Sequence, residues 1–347
     1  MARKVVIGIT RDRYNDKGQF LNSDTGVKLL EGIPGVEIRK LAEIKPEITP
    51  EQIRGMDMVI SGLAKWMASS LAGNDRLISI HRCGVGFDAV NVPEMTAADV
   101  MLTITPNAVR RPMAVTIMTF LLALSMRLML KDRMTREGRW AEKEDNDGYG
   151  LVGKTLGSIG TGNIGHDMFR LAKPFGMRHI AYDPYIKESV LADVDVKLVD
   201  MDTLLAESDF VNISCPLNDS TRGLVGEKEF KKMKNTAFLI NTARGPIVDE
   251  AALIRALKEG WIRGAGIDVF EKEPTPIDNP LLKMDNIIVA PHALGHTEEI
   301  RSNMINELVE QISQVIGGEA PKASPNRQVW EQPGFQAKLK RLQAEIK

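Results

Sequence analysis

Leu156-Gly157-Ser158-Ile159-Gly160-Thr161-Gly162-Asn163-Ile164-Gly165 decides the fold. A short apolar run enters a G-x-G-x-x-G turn, and then Ile164, Met168, Leu171 and Phe175 recur on one face of a helical period. Strand, glycine turn and helix in that order open a dinucleotide-binding unit. Gly160 permits the tight strand-to-helix turn, Gly162 lets a pyrophosphate approach the backbone, and Gly165 lets helix and strand pack closely. Asn163 and Ile164 start the helix whose N-terminus faces the anion. Asp183 ends the next apolar run, Ile-Ala-Tyr-Asp-Pro. A carboxylate there accepts hydrogen bonds from ribose hydroxyls and repels a 2′-phosphate, so the predicted cofactor is NAD rather than NADP. The plainer alternative for Asp183 is a turn or cap residue.

Outward from this stretch the pattern repeats. Downstream strand candidates are 154–159, 179–183, 210–214, 236–241, 264–269 and 286–290, separated by helical segments. Upstream, strands at 4–10, 35–39, 58–61, 77–80 and 100–105 alternate with predicted helices at 23–31 and 49–56. Such alternation predicts α/β architecture with parallel sheets covered on both faces. Residues 107–130 read as one long, methionine-rich helix. It is apolar on most faces and so is buried between domains or against another subunit. Two further helices, 298–316 and 336–346, follow.

The chain has 347 residues, enough for two domains, and a net charge of −1 from 45 basic and 46 acidic residues. No basic stripe supports a nucleic-acid or anionic-membrane partner. With 43% hydrophobic and 26% charged residues it is composed like a folded globular protein. Two cysteines, Cys83 and Cys215, provide neither a disulfide framework nor a four-thiolate metal site. The N-terminus carries no signal-peptide pattern, and the apolar stretch at 113–130, interrupted by Arg127, is expected to fall short of a membrane span; a cytoplasmic protein is predicted.

Three polar groups follow successive strand candidates, on the side where open α/β sheets bind ligands. They are Arg244 in Asn241-Thr242-Ala-Arg-Gly, Glu273 after Asp268-Val-Phe-Glu-Lys, and His292 in Ala290-Pro-His. An arginine fork binds a carboxylate and polarises an adjacent carbonyl. A histidine exchanges a proton with the reacting oxygen, and a neighbouring carboxylate favours imidazolium and fixes its tautomer. Alone, each residue reads as readily as a surface ion pair, a loop charge or a capping histidine. Cys215-Pro216, at a strand end, lies near the cofactor as packing rather than as a nucleophile, since no base neighbours the thiol. His166, His179 and His296 lack a third ligand, and no metal is expected.

The motifs GTGNIG with Asp183, INTARG, GIDVFEKEP and APHALGHT make the chain, over residues 55–320, resemble the D-isomer-specific 2-hydroxyacid dehydrogenase family. The resemblance implies a flavodoxin-like substrate lobe (1–105 with 297–347) and a Rossmann NAD-binding lobe (106–296), both doubly wound, closing a cleft over substrate. It implies that Arg244 binds the substrate carboxylate, that His292 is the acid/base, that Glu273 pairs with it, and that Asp268 meets the nicotinamide carboxamide. Thr242, Cys215 and Pro216 join the glycine turn in holding cofactor. Lys65 and the backbone of Gly84-Val85-Gly86 hold substrate, and the helix after Asn107 forms a homodimer contact. An NAD-sensing co-repressor and a formate- or phosphite-type dehydrogenase are the alternatives on this scaffold. Lys65, His81, Arg110 and Arg111 depart from the family pattern and are expected in part to face a polar or anionic substrate tail, such as that of a sugar acid; the alternative is solvated charge or ion pairing. If His292 is the acid/base, reduction fails as pH rises and imidazolium is lost, and oxidation fails as pH falls; a flat rate profile in both directions would contradict that role.

Overall fold

Apolar runs such as Val5–Ile9, Met58–Ser61 and Phe238–Asn241 are buried at every position, as strands covered on both faces must be. The computed structural model describes residues 3–20 and 24–346; Ser23, the predicted first residue of the first helix, lies outside them. The chain divides into two compact units, Met1–Val109 with Thr297–Lys347, and Arg110–His296.

The first unit holds β1 (Val5–Ile9), α1 (Asp24–Glu31), β2 (Val36–Lys40), β3 (Met58–Ser61), β4 (Ser79–Arg82), α2 (Val92–Ala97) and β5 (Met101–Ile104). Helix α3 (Pro106–Ser125) leads on to α4 (Leu128–Arg136), β6 (Thr155–Ile159), α5 (Asn163–Ala172), β7 (Arg178–Tyr182), β8 (Val196–Leu198), α6 (Met201–Glu207) and β9 (Phe210–Ile213). Then come α7 (Glu227–Lys232), β10 (Phe238–Asn241), α8 (Glu250–Lys258), β11 (Gly264–Ile267) and β12 (Ile287–Val289), before α9 (Glu298–Gly317) and α10 (Pro333–Ile346) return to the first unit.

The first sheet runs β2-β1-β3-β4-β5, the flavodoxin-like order, and every pair is parallel. The second runs β12-β11-β10-β9-β6-β7-β8, the Rossmann order with one strand added, again all parallel. Its order reverses between β6 and β9, so the ligand crevice of this sheet lies at the carboxyl ends of those strands. Two apolar clusters cover its faces, one around Leu239, Leu253 and Ile267, the other around Ile117, Phe120 and Phe169. A Cβ at Gly266 would stand 2.7 Å from the Phe120 ring, so α3 presses onto β11 only because that strand carries glycine there.

The structure corrects several sequence expectations. Residues 107–130 form two helices: Arg127 adopts a left-handed φ of 52°, and the Ser125 carbonyl accepts the Tyr149 N–H at 2.7 Å, which ends α3. Helix α3 is long and apolar enough, by length and composition, to cross a membrane; Ala114, Ile117, Phe120, Leu121 and Leu124 are nevertheless buried in the core of the second unit. Residues 49–56 form turns rather than a helix, and β8 is a strand absent from the candidates above.

His81 faces no substrate. It is fully enclosed within the first unit, with Nε2 2.9 Å from Ser79 Oγ and Nδ1 2.9 Å from Thr103 Oγ1. Burial pushes its pKa down from 6.5 to about 4. The folded form therefore resists a proton that the unfolded chain accepts, so stability is whole above pH 6.5 and is lost as pH falls toward 4. The loss approaches about 3 kcal/mol at 1.36 kcal/mol per pH unit. Denaturant midpoints of the wild type should fall more steeply between neutral pH and about pH 4.5 than those of His81→Gln, a substitution that removes the titrating group. Parallel slopes would contradict this assignment.

Candidate active site

The glycine turn joins β6 to α5. Gly160 has φ +85°, and a Cβ on it would lie 2.7 Å from the Cys215 backbone nitrogen, so no other residue fits. Nothing lies within 4 Å of a Cβ position on Gly162, the N-cap of α5. Gly165 is buried, its Cβ position 3.1 Å from the Gly160 carbonyl oxygen. A tight turn, an open backbone face and a ten-residue helix pointing its N-terminus at that face fit a dinucleotide pyrophosphate. Asn163 is exposed and Ile164 half-buried at the same end.

Asp183 follows β7. Its Oδ2 accepts the Thr161 N–H at 2.9 Å and its Oδ1 the Tyr185 N–H at 3.0 Å. It thus ties its own loop to the glycine turn, and a carboxylate oxygen has further lone pairs for ribose hydroxyls. Cys215 and Pro216 follow β9. Burial pushes the Cys215 thiol up to about 11, with the Asp183 charge adding to it, so it is a protonated packing group at neutral pH.

The reacting candidates follow β10, β11 and β12, neighbours in the sheet. After β10, Asn241 Oδ1 accepts the Ala243 N–H and its Nδ2 donates to the Arg244 carbonyl, both at 3.0 Å, which shapes the turn that carries Thr242 and Arg244. A Cβ on Gly245 would lie 1.9 Å from the Phe270 carbonyl, so glycine alone lets this turn rest on the loop after β11. In that loop the Phe270 N–H donates to Glu273 Oε1 at 3.0 Å, and Glu273 Oε2 lies 2.8 Å from His292 Nδ1. Burial raises the Glu273 carboxyl, but the His292 hydrogen bond, the Phe270 N–H and the His292 and Arg244 charges outweigh it and hold the group below its usual range.

His292 itself has a left-handed φ of 56°, a strained conformation for a residue with a Cβ. The nearly buried Asp268 holds that turn: its Oδ1 accepts the N–H groups of Ala293 at 3.0 Å and Leu294 at 3.2 Å. Burial raises the Asp268 carboxyl, and these bonds oppose the rise.

Of the substrate-side residues in the first unit, Lys65 is exposed and Gly84 is buried with φ +115°. The Gly84 N–H donates to Thr105 Oγ1 at 2.7 Å. That donor is spent inside its own unit, which removes it from the N–H groups expected to meet a substrate carboxylate. Val85 and Gly86 are half-buried. Arg110 and Arg111 lie 3.6 and 3.1 Å from the carboxylate of Asp167, which is almost fully buried on α5 and also meets Arg170 at 3.1 Å. They are ion-pair partners of α5.

Residues 118–293 match the family described as D-isomer specific 2-hydroxyacid dehydrogenase, NAD binding domain. The chain is 39% identical over 292 residues to a glyoxylate reductase of Korarchaeum cryptofilum, covering 82% of this chain and 88% of that protein. The crystal structure of a glyoxylate reductase from Paecilomyes thermophila superposes with a TM-score of 0.80 at 26% identity, covering 94% of this chain and 100% of that one. The fold is also that of a D-lactate dehydrogenase from Aquifex aeolicus complexed with NAD and lactic acid, with a TM-score of 0.80, 24% identity and coverage of 90% and 96%. The chain belongs to the D-isomer-specific 2-hydroxyacid dehydrogenase family, NAD-dependent enzymes that interconvert a 2-hydroxy acid and its 2-oxo acid.

Proposed function

We propose that Arg244, Glu273 and His292 carry the reaction, and the observation that supports this reading is the 2.8 Å contact between Glu273 Oε2 and His292 Nδ1. With Nδ1 committed to the carboxylate, Nε2 is the ring nitrogen left to exchange a proton with the substrate oxygen. Glu273, charged through the neutral range, stabilises the imidazolium that donates this proton in the reductive direction. Arg244 binds the substrate carboxylate and polarises the adjacent carbonyl. The nicotinamide, when bound, supplies or receives the hydride at C2. Gly160, Gly162, Asn163, Ile164, Gly165, Asp183, Cys215, Pro216, Thr242 and Asp268 hold the cofactor in this reading. The second unit is then the cofactor lobe, and in the first, the substrate lobe, Lys65 and the Val85 and Gly86 N–H groups meet substrate.

The substrate we favour is a short 2-oxo acid. Of the four basic groups that would have read an anionic tail, His81 is enclosed and Arg110 and Arg111 are paired with Asp167. The similarity to a glyoxylate reductase makes glyoxylate the first acid to try. We also infer a homodimer through α3 and the start of α4, where Val115, Leu128 and Met129, with Met126 between the two helices, are exposed apolar side chains. Two free thiols suit a cytoplasmic setting.

Loss of nicotinamide absorbance with NADH and glyoxylate, pyruvate, hydroxypyruvate or an oxo-dicarboxylate tests the assignment. Turnover should favour the short acids, and His292→Ala should lose roughly a hundredfold or more in kcat, the scale of general acid–base catalysis. An unchanged His292→Ala rate would overturn the role of His292; preference for the dicarboxylate would overturn the substrate reading. Gly160→Ala, forced against the Cys215 backbone, should weaken NADH binding at least about tenfold in a fluorescence titration.

A further inference from the structure

Beneath the glycine turn lies a polar triad where β6 and β9 meet. Ser158 on β6 and Asn212 on β9 are register partners across the switch point, and both are fully buried. Ser214, half-buried, stands just past the end of β9. Ser158 Oγ donates its one proton to the Gly160 carbonyl at 2.7 Å. Toward Asn212, 3.1 Å away, Ser158 Oγ can therefore only accept, which requires the amide nitrogen of Asn212 to face it. The same nitrogen lies 2.7 Å from Ser214 Oγ, so Ser214 also accepts. Asn212 Oδ1 is buried without a hydrogen-bond partner; the nitrogen is the half of the amide that the triad uses.

One proton is left over, that of the Ser214 hydroxyl. Ser214 lies against the turn: a Cβ on Gly160 would sit 2.9 Å from its carbonyl carbon, and one on Gly165 3.4 Å from its Cβ. We propose that Ser214 is a cofactor-binding residue whose hydroxyl, oriented by Asn212, donates to an anionic pyrophosphate oxygen of the dinucleotide. Ser158, fixed by the same amide, holds the Gly160 carbonyl and so the shape of the turn. This rests on the cofactor-binding assignment of the glycine turn and adds to it a donor and two positioning residues.

Fluorescence titration of NADH, with ADP-ribose and adenosine as competing ligands, tests the proposal. Ser214→Ala should weaken NADH and ADP-ribose together by roughly tenfold, the value of a hydrogen bond to a charged acceptor. Adenosine, which lacks the pyrophosphate, should bind unchanged, and the melting temperature of the cofactor-free protein should not move. Ser214→Thr, which keeps the hydroxyl, should restore the affinity. Asn212→Val should act in the same direction, and combining it with Ser214→Ala should add little, because both remove one interaction. If Asn212→Val fails to fold, Ser214→Ala decides alone. Wild-type NADH affinity in Ser214→Ala, or an equal loss for adenosine, would overturn the proposal and leave the cofactor site standing. A wild-type protein that binds no NADH would overturn both.

Discussion

The hydrogen bond between Glu273 and His292 is the constraint around which the ends of three strands are arranged. Neither residue reaches the other from regular structure. Glu273 lies in the loop after β11, anchored by the Phe270 N–H, and His292 in the turn after β12, held in a left-handed conformation by Asp268. The Arg244 turn rests on the same loop through Gly245, so β10, β11 and β12 each contribute one polar group to one edge. Backbone strain at His292 persists because Asp268 and Glu273 over-determine it from either side.

The sheet beneath this edge performs two tasks at different places. At its switch point, β6 and β9 offer a cradle in which each close approach is made by glycine or a small polar side chain. Toward β12 it offers charge. The separation follows from Rossmann connectivity, which puts the first βα turn at the middle of the sheet and its last strands at one side. Helix α5 is tied down away from the cradle by Asp167, which meets Arg110, Arg111 and Arg170. A buried carboxylate with several arginine partners holds its position more firmly than an exposed pair.

Much of this was legible in the sequence because its signals are local. A glycine required by positive φ or by a Cβ clash, as at Gly160 and Gly245, leaves its mark at the position where the constraint acts. Strand ends followed by Arg, Glu and His could be read off the alternation of apolar runs. What escaped depends on partners distant in sequence. The end of α3 is set by Tyr149, and His81 is enclosed by Ser79 and Thr103. The charge of Arg110 and Arg111 is taken up by Asp167, some fifty-odd positions along. The Ser158, Asn212 and Ser214 triad reads in the sequence as three unrelated small polar residues, and only the β6–β9 register joins them. Turns stand at 49–56 in place of the predicted helix because a Thr49-Pro50 start signal alone does not meet the cost of nucleating one.

The account stands on the claim that Glu273 and His292 form one acid–base unit, and titration of the Glu273 carboxyl by carbon-detected NMR tests it most directly. In the wild type the group should titrate below the ordinary range for glutamate, since the His292 hydrogen bond, the Phe270 N–H and the His292 and Arg244 charges together outweigh burial. In His292→Ala, burial acts with less opposition and the carboxyl should titrate clearly higher. The same titration in both proteins would contradict the claim.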